Sequence, residues 1–259
     1  MFKMHHSKFL SMFLVLVLTM VALSFASGQE QETESAEMFY YVASKTKLET
    51  YDGDNLAQTQ DLGTEELWVG KKEIAEVNGG RLTYLNTEKN QLIIMDLKNQ
   101  IYVTTQLPLK LENIYSKEKL QKLQKQKRTG KVKSLKETRE ILGRKCKAYK
   151  YTTKTTKENG TIEKNEITVW ATTNVPFDLE KYYRLLECSR IIANRDKKER
   201  RQLEKIKGIQ LRVEGHLNQK GKRQKFISEV VEISKKFPPV GSIDELISAQ
   251  GLTKKERFE

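Results

Sequence analysis

Residues 209–217 read Ile-Gln-Leu-Arg-Val-Glu-Gly-His-Leu. Apolar and polar side chains take turns along this run, a period of two that only an extended strand can divide between a dry face and a wet one. Ile209, Leu211, Val213 and Leu217 take one side; Gln210, Arg212, Glu214 and His216 take the other. A turn over 218–222 leads into Lys-Phe-Ile-Ser-Glu-Val-Val-Glu-Ile-Ser, whose two faces are less sharply divided. The pattern predicts a half-buried antiparallel sheet with one solvated side.

The same grammar recurs upstream. Met38 to Tyr51 is apolar and aromatic, and Asp52-Gly53-Asp54 marks a turn. The runs EELWV, KEIAEV, RLTYL, QLIIMDL and QIYVTTQL then alternate with Gly70-Lys71, Asn78-Gly79-Gly80, Asn86 to Asn90 and Lys98-Asn99. Short runs punctuated by Asn and Gly predict an antiparallel meander. Further strands are expected at KVKSL, RKCKAYKYTT and TIEKNEITVWATT, the last two joined across 158–160.

Two stretches break the period. Over 116–128 Ser116 is an N-cap, Leu120 and Leu123 share a face and Gly130 is placed to end a helix. Over 178–206 Leu179, Tyr182, Tyr183 and Leu186 form a helical stripe, Asp178 suits the helix start, and a break falls near Asn194. The expected class is mainly β with α, in a single domain spanning 38–259.

The N-terminus carries an address. Lys3 and Lys8 precede an apolar run from Phe9 to Ala26, and small residues follow at Ala26-Ser27-Gly28. That order predicts a secretory signal peptide over 1–28 and a polar lead-in over 29–37. The alternative is a membrane anchor, since the run approaches the ~18 residues of a span. Cleavage is favoured because no basic stop-transfer cluster follows. No cysteine near the exit suggests lipidation. Losing Lys3 and Lys8 takes the formal charge from +13 to +11. The expected address is periplasmic, with secretion the alternative.

Export leaves His216 as the one histidine of the mature chain. A Ser-His-Asp triad or a histidine-rich zinc site would have to use it, on a strand's polar face. No GxSxG, HExxH, P-loop or GxGxxG run occurs. The expectation is a non-enzyme without metal or cofactor; a hydrolase built on carboxylates alone is the remaining catalytic reading. Cys146 and Cys188 either pair, as export favours, or stay as free buried thiols.

Charge clusters between Ser116 and Lys150, with fourteen Lys or Arg against Glu118, Glu137 and Glu140. One reading is a face for an anionic membrane surface or partner, with Lys122, Lys125, Lys127 and Arg128 as its candidates. The other is an ordinary solvated surface. Nucleic acid is not expected, because the chain is exported and carries no nucleic-acid-binding motif.

Two segments carry a family resemblance. ETREILGRKCKAYKYTT (137–153) followed by EITVWATTNVPF (166–177) resembles an uncharacterised family of exported bacterial β-proteins, marked by an Ile-Leu-Gly-x-Lys-Cys-x-x-Tyr strand and a later strand ending in Val-Trp. The segment 65–107, with Leu67-Trp68-Val69, is similar to the meander of the periplasmic lipoprotein carrier and receptor superfamily, LolA and LolB. The resemblance implies a strongly curved antiparallel sheet, an unclosed half-barrel whose concave side helices cover. It also implies an apolar hollow for a lipid or acylated ligand. Trp68, Ile94, Val103, Trp170 and Val213 are the candidate lining residues, with plain core packing as the alternative. The carriers place a lid-gating arginine late in the strand after Leu-Trp-Val; Glu76 stands at that position here. The helical stretch 178–206 has no counterpart in the carrier.

Overall fold

The computed structural model describes residues 38–125, 127–156, 162–219, 222–239 and 242–259. The signal peptide and lead-in expected over 1–37 lie outside them.

Among the described residues, twelve strands form one open sheet: β1 (Phe39–Asp52), β2 (Asn55–Val69), β3 (Glu73–Asn78), β4 (Arg81–Asn86), β5 (Gln91–Asp96), β6 (Ile101–Gln106), β7 (Lys127–Ile141), β8 (Arg144–Thr156), β9 (Ile162–Thr172), β10 (Ile209–Gln219), β11 (Lys222–Lys236) and β12 (Thr253–Lys254). The described residues also form four α-helices, α1 (Lys117–Gln124), α2 (Leu179–Ile192), α3 (Lys197–Leu203) and α4 (Ile243–Ala249), and a 3-10 turn at Leu111–Asn113. The spatial order is β12-β6-β5-β4-β3-β2-β1-β11-β10-β9-β8-β7. The chain therefore starts mid-sheet, zigzags out to β6, crosses through α1 to the opposite edge, and zigzags back until β11 pairs with β1. Every pairing is antiparallel except the short β12 on β6.

The main core lies on one face. Val42, Leu67, Val69, Ile74, Leu85, Leu92, Ile94 and Val103 meet Tyr182, Leu185, Cys188 and Ile192 of α2. The buried stripe of α2 is thus turned from the expected one: Tyr182 is common to both, while Leu179, Tyr183 and Leu186 are only partly buried. A second cluster continues this face under α3, where Tyr149, Tyr151, Val169 and Ala171 meet Ile206. On the opposite face, α4 lays Ile243, Leu246 and Ile247 over Leu82, Tyr84, Ile93 and Met95. That helix has no apolar stripe long enough to read in the sequence.

Local chemistry sets the helix ends. Ser116 accepts the Lys119 amide at 3.3 Å, and Asp178 accepts that of Glu180 at 2.8 Å. The expected break falls at Asn194, whose φ of 52° is left-handed. Gly130, however, does not end α1. It sits inside β7, opposite Thr153, and a Cβ there would lie 2.6 Å from the Tyr151 ring. The glycine is needed for close approach, not for a helix stop. The strand expected at 131–135 consequently starts earlier and runs on through an irregularity between Ser134 and Thr138.

Candidate functional site

α2 is fixed over the sheet by polar contacts along its length. Arg184 Nη2 donates to Asn90 Oδ1 at 2.7 Å in the β4–β5 turn, Ser189 Oγ donates to Glu76 Oε2 at 3.4 Å, and Tyr115 Oη donates to the Ile192 carbonyl at 3.3 Å. The Gly208 amide donates to Tyr183 Oη at 2.6 Å, holding the chain's return into β10.

Beneath α2 is a cavity of about 150 Å³. Val42, Leu67, Leu186, Leu211, Val213 and Val230 supply its apolar wall; Ser44, Glu65, Glu76, Gln210 and Ser228 supply polar atoms. Burial pushes the Glu76 carboxyl above the usual range, and the neighbouring Glu65 adds to it. Glu65 is raised by burial as well, opposed by the Asn78 Nδ2 that donates to it at 2.9 Å. Tyr182 shares the space, its phenol pushed up by burial and by Glu76.

A larger groove of about 550 Å³ opens where β1 begins, β2 ends and α2 starts. Met38, Tyr40, Val69, Val175 and Phe177 form its apolar side, with the Tyr40 and Phe177 rings 5.8 Å apart. Lys71, Asp178 and Lys181 complete it, the last two paired at 3.3 Å.

The five expected lining residues are not gathered in one place. Ile94 and Val103 are register partners sealed in the main core, at 1% and 0% exposure, and line neither cavity. Trp68 turns away from Leu67 and Val69, to the other side of β2. It packs on Tyr41 at 4.5 Å between centroids and donates Nε1 to Glu66 at 3.2 Å. Trp170 is half-buried on β9, opposite Ala148 and Arg212. Of the five, Val213 alone lines one of these two cavities, the smaller one. Residue type and mid-strand position suggested all five; the pleat direction and the depth under α2 separate them.

The basic run falls on α1, β7 and β8, with Lys122 and Lys125 exposed. The backbone of Lys127 begins β7; its side chain lies outside the described residues. Arg128 is partly buried and already paired: its Nε lies 3.2 Å from Oε1 of Glu199, a residue of α3 that is only 1% exposed. Tyr151 Oη and Arg195 Nη1 donate to the same oxygen, the latter at 2.7 Å. Glu199 went unnoticed in the sequence because nothing in KKERRQL marks one carboxylate as buried. β7 is also the outer strand of the sheet, where lysines hinder edge-to-edge pairing.

Cys146 and Cys188 are both free and buried, so the disulfide alternative is not realised. Cys146 Sγ turns back to the Arg144 carbonyl at 3.4 Å. His216 is exposed on β10, between Glu166 and Lys225 of the neighbouring strands.

No protein-family model matches this chain, and no curated protein matches it.

Proposed function

We propose that the chain is an exported envelope protein whose sheet curls as an unclosed half-barrel around α2, and that it binds a lipid or acylated ligand at the apolar mouth of that hollow. The single observation that carries the reading is the groove of about 550 Å³, which falls within the roughly 300–1,000 Å³ of small-molecule sites. Its Tyr40, Val69, Val175 and Phe177 wall suits a hydrocarbon tail, and Lys71 with the Lys181–Asp178 pair offers charged groups to a polar head. The cavity under α2, at about 150 Å³, is below the roughly 300 Å³ such sites start from. A chain that penetrates further must lift α2.

The curl is supported by a short relay. Arg184 reaches the β4–β5 turn, Glu187 pairs with Arg200 of α3 at 3.0 Å, and Gln202 Oε1 accepts the Val132 amide of β7 at 3.3 Å. Eight strand spacings separate β4 from β7, roughly 38 Å across a flat sheet. The helical path between these contacts is only about 8 Å, and side chains must supply the rest. Bending the sheet brings both ends within reach. Export rests on the pattern of residues 1–28.

Native mass spectrometry of protein recovered from the cell envelope tests both parts. The expected result is a chain beginning near Gln29 that carries a noncovalent lipid-sized adduct, lost in Val175→Asp/Phe177→Asp. An adduct unchanged by that variant moves the site elsewhere. A bare protein that also fails to take up a fluorescent fatty acid ends the binding reading.

A further inference from the structure

Both ends of the sheet are capped along part of their length. β12 pairs with β6, and α3 docks on β7, whose Val132 amide donates to Gln202. β2 differs. Its pairing with β3 involves only Glu66 to Val69, while its pairing with β1 runs on to Asn55. Asn55 to Thr64 therefore have one strand neighbour, and among the described residues no strand lies beyond them. All ten are exposed.

This stretch, Asn-Leu-Ala-Gln-Thr-Gln-Asp-Leu-Gly-Thr, has no lysine, no proline and one charge, Asp61, so of the usual protections of an open edge it keeps only that charge and two irregularities. Leu56 and Leu62 stand 56% and 50% exposed. Irregularities at Ala57 and Leu62 bracket a regular run from Gln58 to Asp61, paired in step with Thr50 to Lys47. An open edge of this kind recognises an extended backbone, since its free amides and carbonyls need a strand to bond.

We propose that the partner is a second copy of this chain, with the two β2 edges antiparallel about a two-fold axis through Thr59. Two-fold pairing presents the same segment to itself. With Thr59 on the axis, Gln58 faces Gln60, Ala57 faces Asp61, and Leu56 of each copy faces Leu62 of the other. No like charges oppose, Thr meets Thr, and the exposed leucines cover one another, each a favourable cross-strand pair. Moving the register by one residue sets Leu56 against Gly63 and loses both leucine pairs. The apolar contacts thus choose the register. This pairing is independent of ligand binding at the groove.

Light scattering on the full chain at about 100 µM, where mass action favours a weak dimer, tests the proposal. The expected mass is twice that of the monomer, and Leu56→Lys/Leu62→Lys returns it to the monomer with an unchanged circular dichroism spectrum and melting temperature. Thr59→Cys, oxidised at the same concentration, should give a covalent dimer, because strand residues opposed in this register have Cα atoms about 4.5–5.5 Å apart, within disulfide reach. Cys146 and Cys188 are buried and do not compete. A wild-type monomer overturns the proposal. A dimer indifferent to the two lysines overturns the surface, and a dimer whose Thr59→Cys form does not cross-link overturns the register.

Discussion

The Glu199 carboxylate on α3 lies 3.2 Å from Arg128 Nε on β7, and that pair joins the one short helix of the 178–206 region to the outer strand of the sheet. Arg195 and Tyr151 complete the arrangement around Oε1, and burial beside Glu199 holds the Tyr151 phenol up at about 12. The other oxygen, Oε2, is buried without a hydrogen-bond partner among the described residues.

Glu199→Ala should therefore cost about 3–5 kcal/mol, because Arg128 and Arg195 are left partly buried without their counter-charge. Urea unfolding measures it. A loss below about 1 kcal/mol would place this pair with ordinary surface bridges.

Gly130→Ala probes the same junction from the strand. Its methyl would meet the Tyr151 ring at 2.6 Å and the Glu199 Cγ at 3.0 Å, so one of them must move. Overpacking of this kind costs about 1–3 kcal/mol. Combined with Glu199→Ala, the two costs should not add, since both disturb one contact. A double-mutant cycle reads the coupling.

Glu76 supplies the pH dependence. Burial and the neighbouring Glu65 raise its native pKa above the 4.5 of an unperturbed glutamate. Between 4.5 and the raised value the native state binds more protons than the unfolded chain, so stability falls as pH rises through that window. Glu76→Gln removes the charge while keeping an acceptor for Ser189. The variant should melt higher than wild type at pH 7, with a difference that shrinks as pH drops toward 4.5. Melting curves that stay parallel from pH 4 to 7 would contradict the assignment.

The cysteines give a chemical check on the core. Burial raises Cys188 to about 11 and Cys146 in the same direction. At pH 8 a thiol reagent should find none in the native protein and two in urea. Fast labelling of the folded chain would mean that α2 leaves the sheet readily.

Much of the sheet was legible because side-chain alternation is a local code. β3 to β6, β8 to β10, the caps at Ser116 and Asp178 and the break at Asn194 all follow from neighbours within a few residues. Residues 55–64 of β2 carried no such signal: exposed on both sides, they have no reason to alternate, and pairing with β1 alone makes them a strand. α4 was missed for a related reason. Its Ile243, Leu246 and Ile247 acquire meaning only against Leu82, Tyr84, Ile93 and Met95, distant in the chain.

By itself, then, the sequence determined the β-rich class, the spacing of most strands and the starts of α1 and α2, because each depends on a short stretch of chain. The tertiary structure alone decided that Glu199 is buried, that Trp68 faces away from Leu67 and Val69, that Ile94 and Val103 are sealed, and that Cys146 and Cys188 are free, buried thiols. Burial is a property of what packs across a gap. No window along the chain contains both sides of that gap.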